Sequence, residues 1–213
     1  YGQDINPLAI LVSKAKTDLG WSDQYLTCAF SQVIATARAD EGTEIAITFP
    51  NMEKWFRPDV SIALSRIRRA IMNEEDIRIR RILWVILAET IRVTSNDRTS
   101  TYKLHARPIE EIENRCVSPI DIFEDLASQS SEDIIHLLSQ AGFIRDNQYT
   151  GLSELKLGNT TDSMPTPHDT RLDKFELLVT SPPYGDNTST ITYGQHAYLP
   201  LQWIDLADID SHA

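Results

Sequence analysis

A chain of 213 residues, 41% hydrophobic and 24% charged, has the size and composition of one sizeable domain or of a domain with a large insertion. It lacks the composition of a disordered chain and any apolar run of membrane-spanning length, and its net charge of −11 argues against a globally basic nucleic-acid binder. Two cysteines, Cys28 and Cys116, have neither metal-ligand spacing nor the density of a disulfide scaffold, and no secretory signal is present; this points to a reducing cytoplasm and to packed thiols.

The first block, "YGQDINPLAILVSKAKTDLG", reads as strand, acidic residue, helix. Asp4 ends a short strand, Asn6 suits a helix N-cap, and Pro7 suits the first helical position. Leu8, Leu11, Val12 and Ala15 fall on one helical face, and Gly20 can close the helix. The chain starts at Tyr1, inside what reads as a strand ending, which suggests a piece of a longer protein.

A mostly helical segment follows, roughly 21–150. Val60, Leu64, Ile67 and Ile71 share one face after Pro58, and Ile77 to Ile91 is apolar nearly all round, as expected of a helix inside a cluster. Ser118-Pro119 opens a further helix, and Ser131 to Ala141 reads as another, closed by Gly142. Trp55, Trp84 and Trp203 read as core or interface aromatics.

From about Gly151 the α/β pattern returns. "ELKLG" is a short strand candidate, "NTTDSMPTPHDT" a polar turn, and "FELLVT" a continuous apolar strand of the type buried in a parallel sheet. A helix is expected around Ala197 to Leu206. No internal repeat is visible.

Three features carry chemistry. An acidic residue at the C-terminal end of a parallel strand, just before a helix, can accept both vicinal hydroxyl hydrogens of a ribose, so Asp4 suits that role. In "TSPPYG", consecutive prolines stiffen the backbone and remove two N–H donors, leaving carbonyl oxygens aimed at a fixed spot. A serine oxygen and a proline carbonyl there can accept from an exocyclic amino group, while the tyrosine offers a face to a flipped base. The competing reading is a Pro-Pro turn with a packed tyrosine. Finally, Arg57 to Arg107 holds 11 Lys/Arg against 6 Asp/Glu, a local excess of +5 in an acidic chain. Within it, "RVTSNDRTSTYK" is basic and hydroxyl-rich, which makes Arg92, Arg98, Lys103 and Arg107 candidates for phosphate contact. Solvated faces of amphipathic helices and a helix-to-loop connection explain the same charges equally well. The five histidines show no ligand spacing, so no metal site is expected.

"LLVTSPPYGD" resembles motif IV of the amino-group DNA methyltransferases, which use S-adenosylmethionine to methylate cytosine N4 or adenine N6. "YGQDINPLA" is similar to their motif II region and "GNTTDSM" to a degenerate motif III. "WF" at Trp55-Phe56, "RVTSNDRTSTYKLHAR" and "TYGQHAYLPLQWI" look like parts of the TSPPYGD-motif subgroup of bacterial site-specific enzymes. The resemblance implies an α/β fold: a partial class I, Rossmann-like methyltransferase sheet with a large, mainly helical insertion. Residues 1–20 and 151–213 would be the methyltransferase domain and 21–150 the insertion. It implies Ser181, Pro182, Pro183 and Tyr184 as the catalytic loop, and Asp4, Ile5 and Asp162 as cofactor contacts. It also implies double-stranded DNA as substrate and a cognate restriction endonuclease as partner.

The chain departs from the family pattern in three ways. The Gly-rich motif I that should precede Tyr1 and the motifs expected after the Tyr184 loop are absent, and the insertion lies between motifs II and III. The expectation is therefore the middle of a methyltransferase, unable to bind cofactor or turn over alone. No Pro-Cys nucleophile like that of carbon-5 cytosine enzymes occurs. Serine at the first motif IV position leans towards cytosine N4, with adenine N6 still open. An RNA amino-methyltransferase and a non-catalytic remnant acting as a binding module are the other readings.

Overall fold

The computed structural model describes residues 1–18, 23–98, 103–140, 142, 144–145, 148–149, 153–159, 177–180 and 193–210. The chain opens with strand β1 (Gly2–Asp4) and helix α1 (Pro7–Thr17). Asn6 caps α1: its side chain accepts from the Leu8 N–H at 3.0 Å, and Pro7 takes the first turn, where no N–H is needed. The helix buries Ile10, Leu11 and Ala15, while Leu8 and Val12 flank that stripe half-buried. Asp18 follows its last turn; Gly20, expected as the terminator, lies outside the described residues.

Six helices make up the middle: α2 (Asp23–Ala39), α3 (Met52–Trp55), α4 (Pro58–Met72), α5 (Ile77–Thr94), α6 (Ile109–Asn114) and α7 (Pro119–Gln140). The expected face of α4 is its core face, with Val60, Leu64, Ile67 and Ile71 all buried. α5 is the hub, touching α1, α2, α4 and α7. Its apolar residues lie nearly all round, as a helix enclosed by others requires. Even its buried Thr90 and Thr94 are satisfied, each donating to the carbonyl four residues earlier at 2.9 and 2.8 Å.

The separate helix expected from Ser131 does not exist: α7 runs unbroken through it. Ser131 is buried, its hydroxyl 3.4 Å from that of Thr27 on α2, so this polar residue faces a neighbour and does not end the helix. Gly142, just beyond α7, takes the left-handed conformation (φ 68°) that favours glycine after a helix. Ile144–Arg145 (β2) and Gln148–Tyr149 (β3) form a minimal antiparallel hairpin.

β4 (Leu155–Leu157) is the "ELKLG" strand and pairs with β1 in parallel, Gly2 opposite Leu155 and Asp4 opposite Leu157. Gly2 lets β4 approach closely here: a Cβ would stand 2.7 Å from the Leu155 δ-methyl, which would have to shift. The ladder closes with Gly2 N–H to the Glu154 carbonyl at 2.9 Å and Gly158 N–H to the Asp4 carbonyl at 3.0 Å. The described residues thus form a helix-rich fold with a small parallel sheet.

The expected buried strand "FELLVT" is not borne out in its described part. Residues 177–180 form no strand, and Leu177, Leu178 and Val179 are 76–83% exposed. A strand persists only where a neighbour fills its hydrogen-bonding edge, and no described residue pairs with this segment. The cysteines also depart from expectation: Cys28 and Cys116 are free and exposed, Cys28 lying on the outer side of α2.

The chain ends in α8 (Tyr193–Trp203) and a 3₁₀ turn (Leu206–Asp208). Ala197, Leu199 and Trp203 of α8 are buried, and the helix lies against α5. Edge-on aromatic contacts link Tyr198 to Phe49 and Trp203 to Phe56, with ring centroids 6.2 and 5.5 Å apart. One hydrophobic core therefore runs from α1 through the helical middle to Ile209.

Candidate functional site

Two places carry the described candidates. The first is the C-terminal end of the β1–β4 pair. Asp4 is exposed there, and its Oδ1 accepts the Asn6 N–H at 2.7 Å, a turn that aims the chain into α1. Ile5, beside it, presents an apolar side chain that is 68% exposed. Across the ladder, Gly158 follows β4 with no side chain to fill the space above it, and the Gln3 carboxamide lies 3.3 Å from where a Gly158 Cβ would sit. Both polar atoms of that carboxamide are buried without a hydrogen-bond partner. A carboxylate, an exposed apolar side chain and a side-chain-free turn at one strand end can receive a hydroxyl-bearing ribose and a flat ring. Gln3 escaped the sequence reading because its partnerless state depends on what surrounds it. Asp162 lies outside the described residues, as do Ser181, Pro182, Pro183 and Tyr184.

The second place is a hairpin whose described arms, residues 97–98 and 103–107, are joined by the antiparallel Asp97–Ala106 bridge. Arg98 N–H donates to the His105 carbonyl, and Arg107 N–H to the Asn96 carbonyl, both at 2.8 Å. The Asp97 carboxylate accepts the His105 N–H at 2.7 Å. The hairpin gathers Arg98, Lys103 and Arg107; Arg98 and Lys103 are exposed. Arg107 is half-buried and works inward, its Nε donating to the Asp97 carbonyl at 3.1 Å while its guanidinium also pairs with Glu111. Arg92 stands apart on the last turn of α5, held by Glu89 at 2.6 and 2.7 Å, an arrangement that raises its pKa. A cavity of about 610 Å³ opens beside the hairpin base, walled by apolar Met52, Phe56 and Ile112 together with the cations Lys54, Arg57 and Arg107.

The basic segment divides between exposed cations, Arg92, Arg98 and Lys103, and arginines with partners elsewhere in the fold. Most of its arginines fasten the fold. Arg69 reaches Asp40 at 2.7 Å, Arg81 reaches Asp18 at 3.0 Å, and Arg68 donates to the Trp203 carbonyl at 2.9 Å. Arg80 grips buried Asp208 through both carboxylate oxygens, at 2.8 and 2.5 Å, and the Trp84 indole N–H donates to the same carboxylate at 2.7 Å. Acids outside the segment thus absorb much of its local excess of positive charge.

A hydrogen bond that sequence reasoning missed joins the hairpin to α8: the Gln195 side-chain oxygen accepts the Leu104 N–H at 3.0 Å. Gln195 sits in the first turn of α8, in the same stretch "TSPPYGDNTSTITYGQ" that holds Tyr184. Among the described residues, no group of three or more His, Cys, Asp or Glu is gathered to hold a metal, and no helix is long and apolar enough to cross a membrane.

Over 223 aligned residues the chain is 28% identical to the Type II methyltransferase M.MvaI of Kocuria varians, a match covering 97% of this chain and 46% of that protein. The chain therefore spans about half the length of this curated relative. No protein-family model matches it, and neither does any solved structure.

Proposed function

We propose that the chain is part of a site-specific DNA methyltransferase that transfers a methyl group from S-adenosylmethionine to an exocyclic amino group. The target is a flipped cytosine, at N4, or adenine, at N6. The observation that carries this reading is the likeness to a Type II methyltransferase along nearly the whole chain. The parallel pairing of β1 with β4 supports it by setting Asp4 at a strand end beside Gly158 and Ile5. Residues 1–20 and 151–213 then belong to the methyltransferase domain, within a wider Rossmann-like sheet, and 21–150 to a helical insertion that shares its core.

When bound, S-adenosylmethionine supplies an electrophilic methyl group on a sulfonium. Asp4 accepts the ribose hydroxyls, Ile5 covers the adenine face, and Asp162 receives the adenine amino group. The target amino group is a poor nucleophile because its lone pair is delocalised into the ring. Ser181 Oγ and the Pro182 carbonyl accept its hydrogens and favour a more tetrahedral nitrogen, while Pro183 keeps the loop stiff. Tyr184 stacks on the extruded base and orients it for in-line attack. Arg98 and Lys103 hold backbone phosphates, with Arg107 bracing the hairpin beneath them and Arg92 at its margin. The enzyme acts in the cytoplasm, and a restriction endonuclease of the same specificity is the partner this function calls for.

The test is transfer of labelled methyl to DNA by the full-length protein, with calorimetric binding of S-adenosylmethionine. Asp4→Asn, which keeps an acceptor for the Asn6 N–H, is expected to weaken cofactor binding about tenfold or more, the value of a charge-assisted hydrogen bond, without shifting the melting temperature. Failure of the wild-type protein to bind the cofactor, or transfer to RNA in place of DNA, would overturn the proposal.

A further inference from the structure

We propose that Lys54 is a further DNA-phosphate contact, set by Trp55 and Asn96 on the same surface as the hairpin cations Arg98 and Lys103. This inference rests on the DNA methyltransferase reading above.

Lys54 is exposed on α3, and its ammonium lies 4.7 Å from the centre of the Trp55 ring. Trp55 is buried, so its ring is a fixed mount whose face attracts the cation without neutralising it. Among the described residues no carboxylate pairs with Lys54, whereas Arg57 is paired with Asp59, Arg92 with Glu89 and Arg107 with Glu111. An arginine already paired must share or release its carboxylate before it can serve a phosphate. A lysine held only by an aromatic face offers its full charge, on a stem that is already ordered.

The placement of Lys54 follows from one buried residue. Asn96, 4% exposed, donates its backbone N–H to the Trp55 carbonyl at 2.8 Å and its Nδ2 to the Lys54 carbonyl at 3.2 Å. Its own carbonyl accepts the Arg107 N–H at 2.8 Å, and the next residue, Asp97, bridges to Ala106. The end of α3 and both described arms of the hairpin are thus fastened to a single asparagine, and Lys54 cannot drift from the hairpin base. Lys54, Asn96, Ala106 and Arg107 also wall the same cavity. Glu53 and Glu113 line that cavity too, and their charge disfavours a phosphate inside it. Of its cations Lys54, Arg57 and Arg107, Lys54 alone is exposed, so the contact falls to Lys54 at the cavity edge.

The experiment measures binding of a mixed-sequence DNA duplex to the full-length protein by fluorescence anisotropy over a range of salt concentrations. It compares the parent with Lys54→Gln, Lys54→Arg, Lys103→Gln and the Lys54→Gln/Lys103→Gln double variant. Lys54→Gln is expected to flatten the plot of log affinity against log salt by about one unit of slope, as loss of one phosphate contact does. A rise in salt of about fourfold then costs it about threefold less affinity than it costs the parent. Its KM for DNA should rise more than its kcat falls, because a phosphate contact holds ground and transition states alike. Lys54→Arg keeps the charge and should keep the slope. Lys103→Gln should flatten the plot by about one unit of its own, and the double variant by about two, since separate phosphates are lost. An unchanged slope in Lys54→Gln overturns the inference while leaving the methyltransferase reading intact. So does an equal flattening in Lys54→Arg, which would assign the effect to packing on Trp55 and not to charge. Failure of the parent to bind DNA at any salt concentration removes the methyltransferase reading and the Lys54 contact with it.

Discussion

The helical middle and the β1–β4 pair are held together in opposite ways. α5 is packed on nearly every side and tied by arginines to acids far along the chain, whereas β1 and β4 contribute three residues each and end in exposed Asp4 and Ile5. Leu177 to Val179 likewise keep apolar side chains in solvent. The contrast separates scaffold from chemistry. Among the described residues, Asp4, Ile5, Arg98 and Lys103, which are proposed to act on ligands, are exposed, and the most buried residues serve the helical core.

The largest expected effect tests the scaffold. Asp208→Ala strips the carboxylate from Arg80, whose mostly buried guanidinium keeps only the Glu74 carbonyl, and leaves the buried Trp84 indole N–H unmatched. The expected loss is about 3–5 kcal/mol in urea unfolding of the full-length protein. A loss below about 1 kcal/mol would show that the tail after α8 is not part of the core and would break the comparison.

The next effect tests the chemistry. Tyr184→Ala should lower methyl transfer to DNA by about 10–100-fold, the value of one base–aromatic stack, with cofactor affinity retained. Its melting temperature should stay within a degree or two of the parent. Equal losses in transfer and cofactor affinity would contradict the stacking role.

The smallest effect concerns acid. Arg69 holds the Asp40 carboxyl below its ordinary range, with the Gly42 N–H adding to it. A depressed folded-state pKa stabilises the fold above the unfolded value and loses that contribution as pH falls through the folded one. Unfolding followed from pH 6 down to about pH 3 should therefore show a shallower acid slope in Asp40→Asn than in the parent. Superimposable slopes would mean that the arginine ties of the middle contribute geometry and no linkage.

Much of the architecture was legible because it is local. Asn6-Pro7 caps a helix by its own side chain and ring, and the four-residue rhythm of Val60, Leu64, Ile67 and Ile71 needs only helical periodicity. "ELKLG" could be recognised as a strand, but its parallel partner, some 150 residues earlier, could not. The break expected at Ser131 failed because burial against Thr27 outweighed a polar residue's local preference. "FELLVT" failed for the complementary reason: apolar composition cannot form a strand without an edge to pair with.

The candidate site divides along the same line. By itself the sequence determined which residue types are proposed for the chemistry, Asp4 after a strand and Ser-Pro-Pro-Tyr after an apolar run, because those proposals follow from side chains and backbone stiffness at adjacent positions. Only the tertiary structure decided what the arginines do. Each could face phosphate, solvent or a carboxylate, and the choice depends on what lies within about 3 Å in space, as with Arg80 and Asp208. The same holds for Gln195, whose partner Leu104 offers a backbone N–H that every non-proline residue carries and that no sequence pattern can single out.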